Sequence, residues 1–236
     1  MSVASVDSPL RRWSLRLGLF GGLYLLMGGI LHILIDERGP TPDQYPAVGD
    51  VLVNQVAGET VVFRAVPSPG RDGLSILDVV LSPAGAVPVA HLHPDTVETF
   101  VVTQGNVLAT VDGVAHELGP GDALTVPAGK PHTLRNAGQA PAQVQVRLDP
   151  TGQMHLALVQ VHGYLDAAGG EPGVGGFLQM LRFAERYGVY LAGPPVWFQQ
   201  LGIFAIAPTA RLLGYRSFES RYAEQARSPE RAQIPR

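Results

Sequence analysis

From Val51 to Leu148 the chain is cut into short, Val- and Leu-rich runs, and that spacing constrains the fold more than any other feature. The runs are Val51–Val56, Thr60–Val66, Leu74–Leu81, Val87–Leu92, Thr99–Thr103, Val107–Val111, Ala123–Val126, His132–Arg135 and Ala142–Leu148. Turn chemistry separates them: AGET, PSPGRDG, SPAG, HPD, QGN, DG, LGPGD, PAGKP and NAGQAP. Strands this short and this regularly interrupted predict an antiparallel sandwich or barrel. The last run alternates strictly, with Ala142, Val144, Val146 and Leu148 on one face and Gln143, Gln145 and Arg147 on the other. It is read as a half-buried strand with a known core side.

Composition explains what surrounds these strands and what the chain excludes. The 28 Gly and 20 Pro fall between apolar runs and mark turns, whereas unbroken tracts of them would mark disorder. With no Cys, disulfides, thiol catalysis and thiolate-held metals are ruled out, so any metal must be held by His and carboxylate. A net charge of −3 leaves no basic footprint for nucleic acid.

Only 16% of residues are charged, and part of that deficit lies near the N-terminus. Leu17–Ile35 contains no Asp, Glu, Lys or Arg, and its one strongly polar residue is His32. As a helix it would reach about 28 Å, close to the hydrocarbon thickness of a bilayer. Arg11, Arg12 and Arg16 precede it, Asp36-Glu37-Arg38 follow, and Trp13 sits at the interface position. Residues 1–35 are therefore read as a tail and a transmembrane helix, with membrane contact through residues 17–35. The positive-inside rule places residues 1–16 in the cytoplasm and the domain outside it, as a single-pass protein. Without Ala between Ser5 and Ala47, a signal-peptidase site is not expected.

Residues 36–50 read as a Pro- and acid-rich linker, 51–150 as the β-domain, and 151–236 as a helical extension. Met154–Ala168 fits either strand or helix, and Phe177–Tyr187 an amphipathic helix. Pro194 and Pro195 are placed to open a helix over Val196–Ile206, with Pro208 ending or kinking it. Val189–Ala207 has two readings. It either spans a membrane or packs on the β-domain or a membrane surface, and Gln199-Gln200 and Gly193-Pro194-Pro195 favour the latter.

The chemistry concentrates in two blocks. Gly85 is followed by five residues, His91-x-His93, four residues, Glu98, six residues and Gly105. Gly121 then opens five residues, Pro127-x-Gly129, two residues, His132, three residues and Asn136. Two histidines at i and i+2 of a strand point to one face and can reach one ion. After the Pro94-Asp95 bend Glu98 can meet them on the next strand, and the Pro127–Gly129 turn redirects the chain before His132. Three imidazoles and a carboxylate suit a borderline divalent ion (Mn, Fe, Ni or Zn) with positions left open for a small chelating molecule. If Glu98 faces inward, so do Phe100 and Val102, and Leu134 follows His132. That wall is apolar and lacks a cation, so the expected ligand is neutral or apolar. His116, His155 and His162 have no matching spacing and are read as satisfied or exposed.

Both blocks resemble, at every fixed position, the two-part signature of the cupin superfamily, and the short gap between them resembles compact single-domain type-2 cupins. The resemblance implies a mainly β fold, a cupin β-barrel of jelly-roll type, to which the residue pattern outside it adds an N-terminal transmembrane helix and C-terminal helices. It implies ligand roles for His91, His93, Glu98 and His132, structural roles for Asn136 and the glycines, and edge association into a homodimer. It also implies metal-dependent oxidation or isomerisation of a small molecule, with non-enzymatic binding or sensing at the membrane as the alternative.

Overall fold

The computed structural model describes residues 9–34, 39–87, 89–169 and 173–226. The first part of the 36–50 linker, the last ten residues of the Arg-rich tail and the side chain of His32 lie outside the described residues.

Ten strands follow an N-terminal helix, α1 (Pro9–Leu34): β1 (Val51–Asn54), β2 (Glu59–Ala65), β3 (Ser75–Leu81), β4 (His91–Leu92), β5 (Val97–Gln104), β6 (Val107–Val111), β7 (Val114–Leu118), β8 (Ala123–Val126), β9 (His132–Asn136) and β10 (Ala142–Asp149). Then come α2 (Met154–Ala167), α3 (Gly173–Tyr187), the two-residue strand β11 (Tyr190–Leu191), α4 (Val196–Leu212) and α5 (Ser220–Ala226).

The strands form a six-stranded sheet ordered β1-β2-β3-β10-β5-β8 and a five-stranded sheet ordered β11-β4-β9-β6-β7, with antiparallel pairing throughout. Inner faces of both sheets share one core, in which Leu81, Phe100, Val102 and Val144 of the larger sheet join Val107, Ala109 and Leu134 of the smaller. The fold is the mainly β, jelly-roll type expected, with C-terminal helices and an apolar N-terminal helix, but the ladders stop at the sheet edges and do not close a barrel. β10 buries Ala142, Val144, Val146 and Leu148 as its alternation predicts, because a strand between two others has one face on the core and one away from it.

Elsewhere the sequence and the structure part company. β7 was not among the predicted strands; it is a sheet edge whose residues stay largely exposed, so it carries no core period to read. The predicted run Val87–Leu92 keeps only two residues of ladder. Met154–Ala167, ambiguous in sequence, is a helix packed on β1, α3 and α5. Pro208 lies inside α4, which continues past the predicted Ile206 to Leu212.

Among the described residues one helix is long and apolar enough to cross a membrane, over Trp13–Leu31. Leu15, Leu17, Leu19, Phe20, Leu23 and Leu26 are all exposed along it, so it is not a core helix of the β-domain. Its main packing partner is α4.

Candidate metal centre

The second block folds so that its turn braces the first. Gly129 adopts a positive φ of 76°, available to glycine without steric cost, and donates its N–H to the His93 carbonyl at 2.7 Å. Asn136 Nδ2 lies 2.9, 3.0 and 2.8 Å from the carbonyls of Leu81, Ser82 and Ala140, while its Oδ1 accepts from Gly138 N–H at 2.8 Å. Gly85 permits a close crossing, since a Cβ there would stand 2.6 Å from the Gly58 carbonyl oxygen. These residues of the two blocks build the frame and leave the chemistry to four others.

The four come from both sheets. His91 on β4 pairs directly with His132 on β9 in the smaller sheet, and His93 follows β4; Glu98 lies on β5 of the larger sheet. One donor atom from each of His91, His93, Glu98 and His132 lies within 4.8 Å of the others. The imidazole centroids stand 4.6 to 5.1 Å apart. Glu98 Oε2 is 2.9 Å from His132 Nε2 and 3.6 Å from His93 Nε2.

The orientation of two rings is fixed from behind. A carbonyl only accepts, so His91 Nδ1 donates to Val89 and His132 Nδ1 donates to Lys130, each at 2.9 Å. Both rings therefore carry their proton on Nδ1 and turn Nε2 toward the cluster, the arrangement in which an outer hydrogen bond sets a ligand's tautomer. His93, Glu98 and His132 are buried, and His91 is only partly so.

The electrostatics divide the imidazoles. Burial lowers His93 to about 4, and burial with the neighbouring His132 lowers His91. For His132 burial also pulls downward, but the hydrogen bond and charge of Glu98 outweigh it and raise the group. Burial alone would raise Glu98, and the three imidazoles hold it below its ordinary value instead. Two neutral imidazoles, one imidazole that competes for a proton and one carboxylate are therefore gathered in one place.

The residues fit a metal on a structural observation. His93 Nε2 is buried without a hydrogen bond, 3.6 Å from the Glu98 Oε2 that meets His132 Nε2 at 2.9 Å. A buried polar atom without a partner costs free energy, and a cation among these atoms would satisfy it.

Of the expected wall, Phe100 lies with its ring centroid 6.2 Å from that of His132, and Phe100, Val102 and Leu134 are all within the buried core. His116 on β7 is half-buried. His162 is satisfied, Nδ1 donating to the Leu158 carbonyl and Nε2 to Glu59 Oε2, each at 2.9 Å. His155 departs from its expectation: it is buried, beside Tyr45, and neither ring nitrogen has a partner.

Sequence reasoning missed β11. Its pairing sets Leu191 opposite His91 and Tyr190 opposite Leu92, so the C-terminal region extends the very sheet that carries two of the imidazoles. The sequence signal is a run of four apolar residues between Gly188 and Gly193, too short to show a period.

Residues 78–148 match the family model described as the cupin domain. The chain is similar to a quercetin 2,3-dioxygenase of Bacillus subtilis, 34% identical over 36% of this chain and 27% of that one. It is also similar to germin-like protein 3-8 of Oryza sativa, 40% identical over 42% of this chain and 46% of the relative. The chain thus spans less than half the length of each. Among solved structures, TT1209 of Thermus thermophilus is 27% identical, covering 37% of this chain and 83% of that one, with a TM-score of 0.33.

Proposed function

From the premise that residues 78–148 are a cupin domain, we propose that this chain holds a divalent metal through His91, His93, Glu98 and His132 and uses it on a small chelating molecule. The domain would comprise residues 51–150, held to a membrane by α1 and followed by the 151–236 extension. One observation carries the reading: one ligand atom from each of His91, His93, Glu98 and His132 lies within 4.8 Å of the others.

The chain's own residues do the arranging. The Val89 and Lys130 carbonyls lock His91 and His132 with Nε2 inward, so no ring must rotate on binding. Glu98 contributes the negative charge that offsets a dication between low-dielectric walls. Phe100, Val102 and Leu134 exclude water, and none of them carries a proton to give or take. When bound by His91, His93, Glu98 and His132, the ion would supply Lewis acidity or electron transfer to a chelating ligand. The likeness to a quercetin dioxygenase supports oxidation as the reaction. The same lack of an acid–base group on the wall supports binding without turnover as the second reading.

Purified full-length protein in detergent is expected to carry about one divalent ion per chain by elemental analysis. Oxygen uptake with a panel of phenols and diketones then separates the readings. Uptake abolished by His91→Ala supports oxidation, and ligand binding without uptake supports the binding module. Protein that stays metal-free with added Mn²⁺, Fe²⁺, Ni²⁺ and Zn²⁺ overturns the assignment.

A further inference from the structure

The helix α4 presents an apolar outer face. Trp197, Phe198, Leu201 and Phe204 are all more than half exposed, and 197, 201 and 204 follow the i, i+4, i+7 spacing of one helical face. The two glutamines that interrupt this run in sequence are engaged by the protein. Gln199 Oε1 accepts from Leu191 N–H at 3.0 Å, its Nε2 donates to the Leu191 and Pro194 carbonyls, and Gln200 Nε2 reaches the Tyr190 hydroxyl at 3.3 Å. Gln200 stays exposed, beside the exposed hydrocarbon of Trp197, Phe198, Leu201 and Phe204.

This face continues onto α1. The Tyr24 hydroxyl donates to the Ala205 carbonyl at 2.7 Å and lies 2.7 Å from Thr209 Oγ1, and Gly28 lies against the Pro208 ring, where a Cβ would collide. A small residue that lets helices approach and a hydroxyl satisfied across the contact are the means by which helices pair in lipid. Gly28 and Tyr24 stand about 4 and 10 Å inside the Leu31 end of the candidate span, at 1.5 Å per residue. Whatever touches them shares that depth.

We propose that α4 enters the bilayer beside α1, and that β11 thereby holds the His91 edge of the metal centre at the membrane surface. The proposal rests on the reading that α1 spans the membrane. The link is short: Ala192 N–H donates to the Ala90 carbonyl at 2.9 Å, Leu191 pairs with His91, and Gln199 of α4 clamps both backbone groups of Leu191. Val89 and Leu191, beside His91, are themselves exposed apolar residues. His91 is also the least buried of the four candidate ligands.

The absence of cysteine makes the test direct. Single-cysteine variants of the full chain carry a nitroxide in liposomes of phosphatidylcholine and phosphatidylglycerol, and spin relaxation by oxygen is compared with that by chromium oxalate. Leu23→Cys reports on α1, Leu201→Cys and Phe204→Cys on α4, Leu191→Cys on the site edge, and Val114→Cys on water. The oxygen-to-chromium ratio at 201 and 204 should exceed that at 114 by about fivefold and approach that at 23, with 191 between. Water-like values at 201 and 204 with a lipid-like value at 23 overturn the proposal and leave the α1 span standing. A water-like value at 23 overturns both. Lipid-like α4 with 191 equal to 114 overturns the placement of the site edge.

Discussion

Among the described residues, two buried histidine–glutamate pairs meet at 2.9 Å, equal in distance and opposite in character. His162 on α2 meets Glu59 on β2 at 2.9 Å, and His132 meets Glu98 at the same separation. At the first, both ring nitrogens are used, one by the Leu158 carbonyl and one by the carboxylate, so the pair is closed. At the second, two further imidazoles crowd the same carboxylate and His93 Nε2 lacks a partner, so the group is open. Proximity of His to Glu therefore says little by itself. A candidate site is distinguished by more converging ligand atoms than one pair can satisfy.

The comparison breaks most clearly on metal content. His93→Ala should lower metal affinity on the order of a thousandfold or more, leaving the chain metal-free after desalting, because one of four ligands is gone. His162→Ala should leave metal content unchanged. Elemental analysis of both variants decides it, and equal metal loss in the two would erase the distinction.

Stability should show the reverse order. Removing one member of a closed buried pair strands the other's charge, so Glu59→Gln should cost about 3 to 5 kcal/mol in thermal or urea unfolding. Burial lowers His162, but Glu59 outweighs it and raises the group above 6.5. A raised folded value means the contribution is complete below the unfolded value and disappears as pH rises through the folded one. The penalty of Glu59→Gln should therefore shrink toward alkaline pH, and a penalty constant from pH 6 to 10 would contradict the pair's assignment.

His155 sharpens the contrast as the third case, buried and unpartnered but alone. Burial lowers it to about 4, so the unfolded chain binds a proton that the folded chain refuses between pH 6.5 and 4. Stability should fall on acidification across that window by on the order of 3 kcal/mol from this residue, and His155→Leu should flatten the fall. An unchanged acid slope in the variant would show that the imidazole reaches water.

The two blocks and the strand limits around β3, β5, β6 and β10 were legible because each rests on a local rule, whereas the four candidate ligands came from the resemblance of the blocks to the cupin signature. Period-2 burial writes itself into β10, and glycine at Gly85 and Gly129 answers a local steric demand. What was not legible depends on tertiary partners. Gln199 looks like an interruption until Leu191 is seen beside it, and β7 buries no face that a period could report. His155 and His162 share the same helix and similar burial, yet only the structure shows that Glu59, about a hundred residues away, reaches one and nothing reaches the other.

The smallest effect separates the imidazoles within the open group. A metal ligand must be neutral at Nε2, so a proton held there competes with the ion. His91 and His93 are lowered, His93 to about 4, and carry no such proton near neutrality. His132 is raised by Glu98 against its burial and so holds its proton to higher pH than either. Metal binding should therefore release a proton wherever His132 is charged without metal, and affinity should rise with pH until it is neutral. Calorimetry from about pH 6 to 8 in two buffers of different ionisation enthalpy counts the protons. Release of two or more would mean that His91 or His93 is charged in the free protein, and release of none would mean that Glu98 does not hold a proton on His132.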